Sequence, residues 1–392
     1  MQRFKSIAIN AIKVSVCIVA LVLVTRGVNW NDQVVTTRDG AVFSGRIIEH
    51  IDRVVVERAG YPTAVIPRTE IATDANGAAR IEYGMRTALA TARKPLLLIS
   101  FCVFLLVPFL QGYRLRLLLR ADGAPIAWWP CTRISFAGNF LNFAAPLGST
   151  AGDVAKAYFV SRHSDRKTEA MTLVFVDRAI GLFTLLAAVT LIAVLSPATS
   201  RLSVMRWYAM ALFGASSLGV VVYLTPVLRR VLNATGILAR LPMVDQLRRV
   251  DATMRRLASR RGVLAKAVLT TAILHMVAAA AFFVIAGALG MRASAGNLVE
   301  YYAGFSTGEL VKALPGPPQG IGTAEMAYRF LFAPFGSASQ IVCAAFAMRF
   351  VMLICSLPGV IFAVTERSRT SAPPTHSETA QVAPSEARAA AA

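Results

Sequence analysis

Eight ionisable residues lie inside or beside apolar runs of this chain: Asp153, Lys156, Asp177, Arg178, Glu309, Lys312, Glu325 and Arg349. At membrane depth such residues are costly, face a cavity or a partner, and mark substrate pathways. Asn139 and Asn142 are three apart and share one helical face. Glycines precede two short helical stretches, Gly148 and Gly152 in one, and Gly316, Gly320 and Gly322 in the other. Helix N-termini of that kind leave backbone N–H groups free for an anion. The chemistry this set points to is binding of one phosphate-bearing lipid head group. Arg178, Lys312 and Arg349 would supply cations, while Asp177 and Glu309 balance them in the empty site. On that reading, Arg349→Ala and Gly322→Leu each abolish lipid binding and leave expression nearly intact.

Each residue also has an ordinary structural reading. Asp177-Arg178 can be an ion pair or can snorkel near one membrane edge. Glu309 and Lys312 can pair within their helix, Lys156 can be a positive-inside residue, and Glu325 can cap a helix. His275, lone in an apolar span, reads as a packed, hydrogen-bonded imidazole. A different chemistry would use Asp153, Asp177 and Glu325 as the acids of a head-group-modifying enzyme. Without a His-rich or metal-spaced cluster to support it, the expectation is a non-enzyme with no cofactor and no metal. Cys17, Cys102, Cys131, Cys343 and Cys355 all lie in or beside apolar segments, so they imply neither a disulfide framework nor a zinc site.

The elements that must position these residues are two broken apolar stretches, residues 136–158 and 301–330. Both run from an aromatic-Ala-Gly start through a Pro/Gly break into a short helix. An unpaired backbone group costs several kcal/mol in lipid. Broken backbone is therefore tolerated there only where it lines a cavity or packs in protein. Two such segments in corresponding halves of a chain point to a transporter's substrate site. The composition agrees with a membrane protein: 392 residues, 56% of them hydrophobic, with mean hydropathy +0.57. The net charge of +20 does not imply nucleic acid, because the arginines flank apolar runs and no binding module accompanies them.

Residues 1–25 read as an uncleaved signal anchor, with Arg3 and Lys5 before an apolar run and no small-residue cleavage site after it. Residues 26–90 carry short Val/Ile-rich patterns at 33–37, 42–48, 53–57 and 64–66, closing at Ile71. They read as a small SH3-like β-barrel outside the cytoplasm, with residues 30–85 a candidate docking piece for an envelope partner. His50 is expected at its surface. Further spans are expected at 95–113, 171–195, 207–224, 264–289 and 341–364. Residues 227–262 hold nine Arg against two Asp and read as a cytoplasmic amphipathic segment. The membrane domain covers 91–366, and 367–392 read as a disordered cytoplasmic tail. The fold class expected is an all-α polytopic membrane protein with an inserted β domain. It has six full spans in a plasma (inner) membrane, with both termini cytoplasmic. Its two re-entrant segments enter from opposite faces as an inverted repeat.

The same residues carry a resemblance. The chain resembles the lysylphosphatidylglycerol synthase/flippase transmembrane region, a family that includes the lipid-translocating half of multiple peptide resistance factors. Tyr113-Arg114 to Leu119 is similar to its basic span end. Asn139, Asn142, Pro146, Gly152, Asp153 and Lys156 fill its Asn and Pro-Gly-Gly-Asp-Arg break. Val176 to Leu182 matches its Val-Asp-Arg-x-x-Gly-Leu, and Leu314-Pro315, Gly320, Gly322 and Glu325 carry its late Gly-x-Gly-x-x-Glu. Ala151 stands for the first Gly of Gly-Gly-Asp, Lys156 stands for Arg, and the β insert is outside the pattern. The resemblance covers about residues 96–365 and implies a flippase or lipid-binding transporter for a phospholipid or lipid-linked amphiphile. The aminoacyl-transferase domain of true synthases would follow the last span, where 28 residues remain after Val364, so that enzyme is not expected here. A non-transporting subunit of an envelope lipid or glycan machine is the other reading.

Overall fold

The computed structural model describes residues 29–35, 41–58, 60–72, 81–144, 150–164, 166–197, 200–225, 244–313 and 320–369. The anchor at 1–25, the tail beyond 369, Pro146, Gly148, Leu314, Pro315, Gly316 and the first part of the basic segment lie outside them.

Alternating apolar residues make five short strands: β1 Asp32–Val35, β2 Val42–Glu49, β3 Arg53–Glu57, β4 Ala64–Pro67 and β5 Ile81–Glu82. They form an antiparallel sheet in the order β4-β3-β2-β1-β5. One face buries Val34, Val54, Val56, Ile66 and Ile71. Among the described residues β4 and β5 are the two edges of the sheet, and a 3₁₀ turn, Arg68–Glu70, follows β4. Asp32 is buried and fixes the sheet to the helical domain. Its carboxylate accepts from Gly84 N–H at 2.7 Å and from the Thr87 hydroxyl at 2.9 Å.

The helices are α1 Met85–Ala90, α2 Lys94–Phe104, α3 Leu106–Ala121, α4 Trp128–Ala144, α5 Ala151–Arg162, α6 Lys167–Leu195 and α7 Arg201–Val204. They continue as α8 Arg206–Leu224, α9 Val244–Ser259, α10 Arg261–Ala288, α11 Leu298–Ala313, α12 Thr323–Phe332, α13 Ala338–Ser356 and α14 Pro358–Arg369. Among the described residues, five helices are long and apolar enough to span: 94–121, 167–195, 206–224, 261–288 and 338–365. These are the later five of the six expected spans, and the protein is a multi-pass membrane protein. Two of the five are jointed. Pro108 lacks the N–H that would bond the Phe104 carbonyl, and the helix breaks at Leu105; Pro358 does the same beside Leu357.

The core has two apolar centres. One gathers α2, α10, α11, α12 and α13 around Phe282, Tyr301, Phe305, Tyr328 and Phe332, all nearly inaccessible. The other joins α3, α4, α5, α6 and α9 through Leu118, Ile134, Val160, Leu173 and Leu257. In α9 the buried face carries Thr253 and Leu257, while Arg248, Arg249 and Arg256 stay exposed. Arg256 reaches Asp122 at 2.8 Å. The sheet sits at the start of α13, where the Ser337 hydroxyl donates to the Tyr83 carbonyl and Ser339 to that of Asn29.

Candidate functional site

The two broken stretches fold as helix hairpins, α4–α5 and α11–α12. Both close tightly because glycine lets one backbone approach the other. A Cβ on Gly152 would collide with the Gly138 carbonyl and come within 2.7 Å of the Asn142 Oδ1. In the second hairpin, a Cβ on Gly304 would come within 2.6 Å of the Phe332 ring, and Gly308 lies under Tyr328. The fillings differ. Aromatic rings close the second hairpin, whereas the aliphatic stem of Lys156 lies across Gly138 in the first. The first hairpin therefore delivers polar groups inward and the second mainly packs.

Between them lies a cavity of about 250 Å³. Its wall takes Asn139 and Asn142 from α4, Asp153 and Lys156 from α5, and Asp177, Arg178 and Gly181 from α6. Glu309 and Lys312 come from α11, Gln111 and Arg114 from α3, and His275 from α10. Arg114 is seven residues from the end of α3, and Asp177 ten from the start of α6. At 1.5 Å per residue, these lie roughly 10 and 15 Å into the bundle. His275 is at the middle of its span. The cavity thus runs from the bundle centre toward the end where α3 finishes and α6 begins.

Its charges are ordered by pairing. Arg114 grips Asp177 with two hydrogen bonds, Nε to Oδ1 at 2.5 Å and Nη2 to Oδ2 at 2.8 Å. Its third nitrogen donates to the Thr271 hydroxyl at 2.8 Å. Arg178 bonds Asp153 at 2.5 Å, and Lys312 bonds Glu309 at 2.6 Å. Every carboxylate of the wall is thus taken. Lys156, 8% exposed, has neither a hydrogen bond nor an ion pair among the described residues. His275 Nε2 is also buried without a partner there. Asn139 donates to Gln111 at 2.9 Å, and the Asn142 Oδ1 accepts from Gly152 N–H at 2.7 Å.

Eight of the residues singled out from sequence therefore share one cavity: Asn139, Asn142, Asp153, Lys156, Asp177, Arg178, Glu309 and Lys312. Gly148 lies outside the described residues. The others stand elsewhere, and the expected free N–H groups are occupied. Asn142 takes the Gly152 N–H, and the Glu325 carboxylate takes the Gly322 N–H at 2.7 Å. Glu325 caps its own helix in the manner of a capping box. It is inaccessible, and its Oε1 lies 2.6 Å from Arg349 Nη2, an ion pair off hydrogen-bond alignment. Arg349 also leans on the Gly320 carbonyl at 3.5 Å. Arg349, Glu325, Gly320 and Gly322 form a layer behind Lys312 and do not line the cavity. The expected pairing also differs: Asp177 answers Arg114, not its neighbour Arg178.

Arg114 and Gln111 are cavity residues that the sequence does not single out, and His275, expected as a packed imidazole, lines the cavity too. Arg114 was absorbed into a basic helix end with Arg116 and Arg120. The available signal was its face: Gln111, Arg114 and Leu118 follow helical spacing and turn inward, while Arg120 is exposed. His275 offered only its position.

The family model described as the lysylphosphatidylglycerol synthase TM region matches residues 84–359, more than half of the chain. The match begins at the joint between sheet and helices and takes in both hairpins and the whole cavity wall. No curated protein matches the chain.

Proposed function

We infer, for a chain that belongs to the lysylphosphatidylglycerol synthase transmembrane-region family, that its cavity takes a lipid head group and that the protein moves that lipid between leaflets. The observation that supports this most is the cavity itself. Eight ionisable side chains face one space inside a bundle of spanning helices. Charges at that depth are costly unless paired or wet, and a packed apolar core would have served stability better. A path for a polar head group through an apolar layer gives the arrangement a use.

The hairpins α4–α5 and α11–α12 are read as re-entrant from opposite faces, with the sheet outside, both termini cytoplasmic and the protein in a plasma (inner) membrane. Single cysteines in a background lacking the native five check this. Residue 60 is expected to label from outside and residue 164, beyond α5, from the cytoplasm. Cytoplasmic labelling at 60 would overturn both the orientation and the opposed hairpins.

No chemical step is assigned. Asp153, Asp177 and Glu325, the acids that a head-group enzyme would need, are each committed to an arginine. An altered lipid in extracts of expressing cells would reopen the enzyme reading. The direct test reconstitutes the purified protein in vesicles with fluorescent phospholipids and a membrane-impermeant quencher. Protein-dependent exposure of inner-leaflet lipid is expected. Failure to bind or translocate any phospholipid or lipid-linked sugar would sink the reading.

A further inference from the structure

We propose that the cavity selects head groups bearing one net negative charge, and that Lys156 makes the selection; this rests on the head-group reading above and narrows it. The wall carries four cations, Arg114, Lys156, Arg178 and Lys312, against three carboxylates. Each carboxylate is held by a partner, and Lys156 is left over. The two breaks do not alter the balance, because residues 145–149 and 314–319 contain no ionisable side chain. The layer behind adds Arg349 and Glu325, which cancel.

Burying an ammonium is costly when the carboxylates around it, Asp153 and Asp177, are each clasped by an arginine, and an arriving phosphodiester offsets that cost. One negative charge meets one free cation. A second negative charge would be left without a partner. A zwitterionic head group brings an ammonium for which no free carboxylate remains. A lysyl-esterified phosphatidylglycerol brings two, so this count disfavours the lipid for which the family is named. The stem of Lys156 is fixed across Gly138, which holds the ammonium at one place instead of letting it fold away.

The test uses the full chain in mild detergent. It is offered an equimolar mixture of phosphatidylglycerol, phosphatidylethanolamine, phosphatidate and lysylphosphatidylglycerol, and the bound lipid is read by native mass spectrometry. Phosphatidylglycerol is expected to lead each of the others by about tenfold, the scale of one charge-assisted hydrogen bond. Lys156→Met keeps the stem packing and removes the charge, and is expected to shrink that lead to less than about twofold. Lys156→Arg keeps it, which a merely structural role for the stem would not require. Excess inorganic phosphate is expected not to displace the lipid; displacement would assign the site to a soluble anion and overturn the lipid proposal. Equal binding of the four lipids, or a lead that survives Lys156→Met, overturns the charge rule alone. Absence of binding by every lipid overturns the head-group reading with it.

Discussion

Arg114→Ala is expected to lower expression and thermal stability together, by about 3–5 kcal/mol, the usual cost of breaking a buried ion pair. Both partners are nearly enclosed, with side chains 8% and 12% exposed. The guanidinium makes three hydrogen bonds, two of them to one carboxylate. Removing it leaves Asp177 a buried anion without its two-pronged partner; Arg178 and Lys312 already serve Asp153 and Glu309, and Lys156 makes no ion pair with it. Arg114→Lys should lose most of the same stability, because an ammonium cannot reproduce the two-pronged geometry. Arg114→Met with Asp177→Leu should recover most of it, since well-packed apolar pairs often replace buried ions without loss. Unfolding monitored by size-exclusion fluorescence after heating, on all three variants, settles the question. An Arg114→Ala protein as stable as the parent would mean that the pair does not form.

The pair also shows how much of the site was legible. A charge within an apolar helix is conspicuous, so Asp177 and Arg178 stood out at once. The pairing did not, because Arg114 is 63 residues from Asp177 and Asp153 is 25 residues from Arg178. Ion pairing across helices follows from which faces meet, and one sequence does not contain that. Adjacent residues on a helix point about 100° apart, so Asp177 and Arg178 could not have answered each other well. The arrangement gives a physical reason for three motifs read separately: the basic span end, the break with Asp153 and the Asp-Arg-x-x-Gly stretch meet as two clasped pairs. In the β domain, four strands were visible in the alternation of Val and Ile. The fifth was not, because Ile81–Glu82 is too short to show any period.

Lys156 and Arg349 show the limit from the other side. Lys156, three residues after Asp153, reads as a positive-inside residue, and Arg349, between Met348 and Phe350, as a buried cation that needs a partner. Spacing places each on a helix, but only packing shows that Arg349 pairs with the helix-capping carboxylate of Glu325 while Lys156 makes no ion pair among the described residues. The residue that looked like the main cation of the site is thus spent on the scaffold. The one that looked like a topology signal is left facing the cavity.

Arg349→Ala is accordingly expected to misfold, with a loss of about 3–5 kcal/mol, and not to give a well-folded protein that has lost its ligand. Glu325 would remain fully buried, with one oxygen still capping Gly322 and the other without a cation. Glu325→Gln should partly rescue the Arg349→Ala protein, because a neutral amide can still accept from the Gly322 N–H. Gly322→Leu should fail by another route. Its φ of +91° belongs to glycine, and a side chain there strains the start of α12 by about 1–3 kcal/mol. The deciding experiment measures folded yield and lipid binding on the same detergent samples. For Arg349→Ala, low yield with normal binding per folded molecule is expected. Normal yield with binding abolished would return Arg349 to the site and place the ligand deeper than the cavity wall described above. Lys156→Met is expected to show the opposite pattern, normal yield with altered lipid choice, because its ammonium holds no protein group in place. The two variants together separate a cation that holds the helices from a cation that holds the ligand.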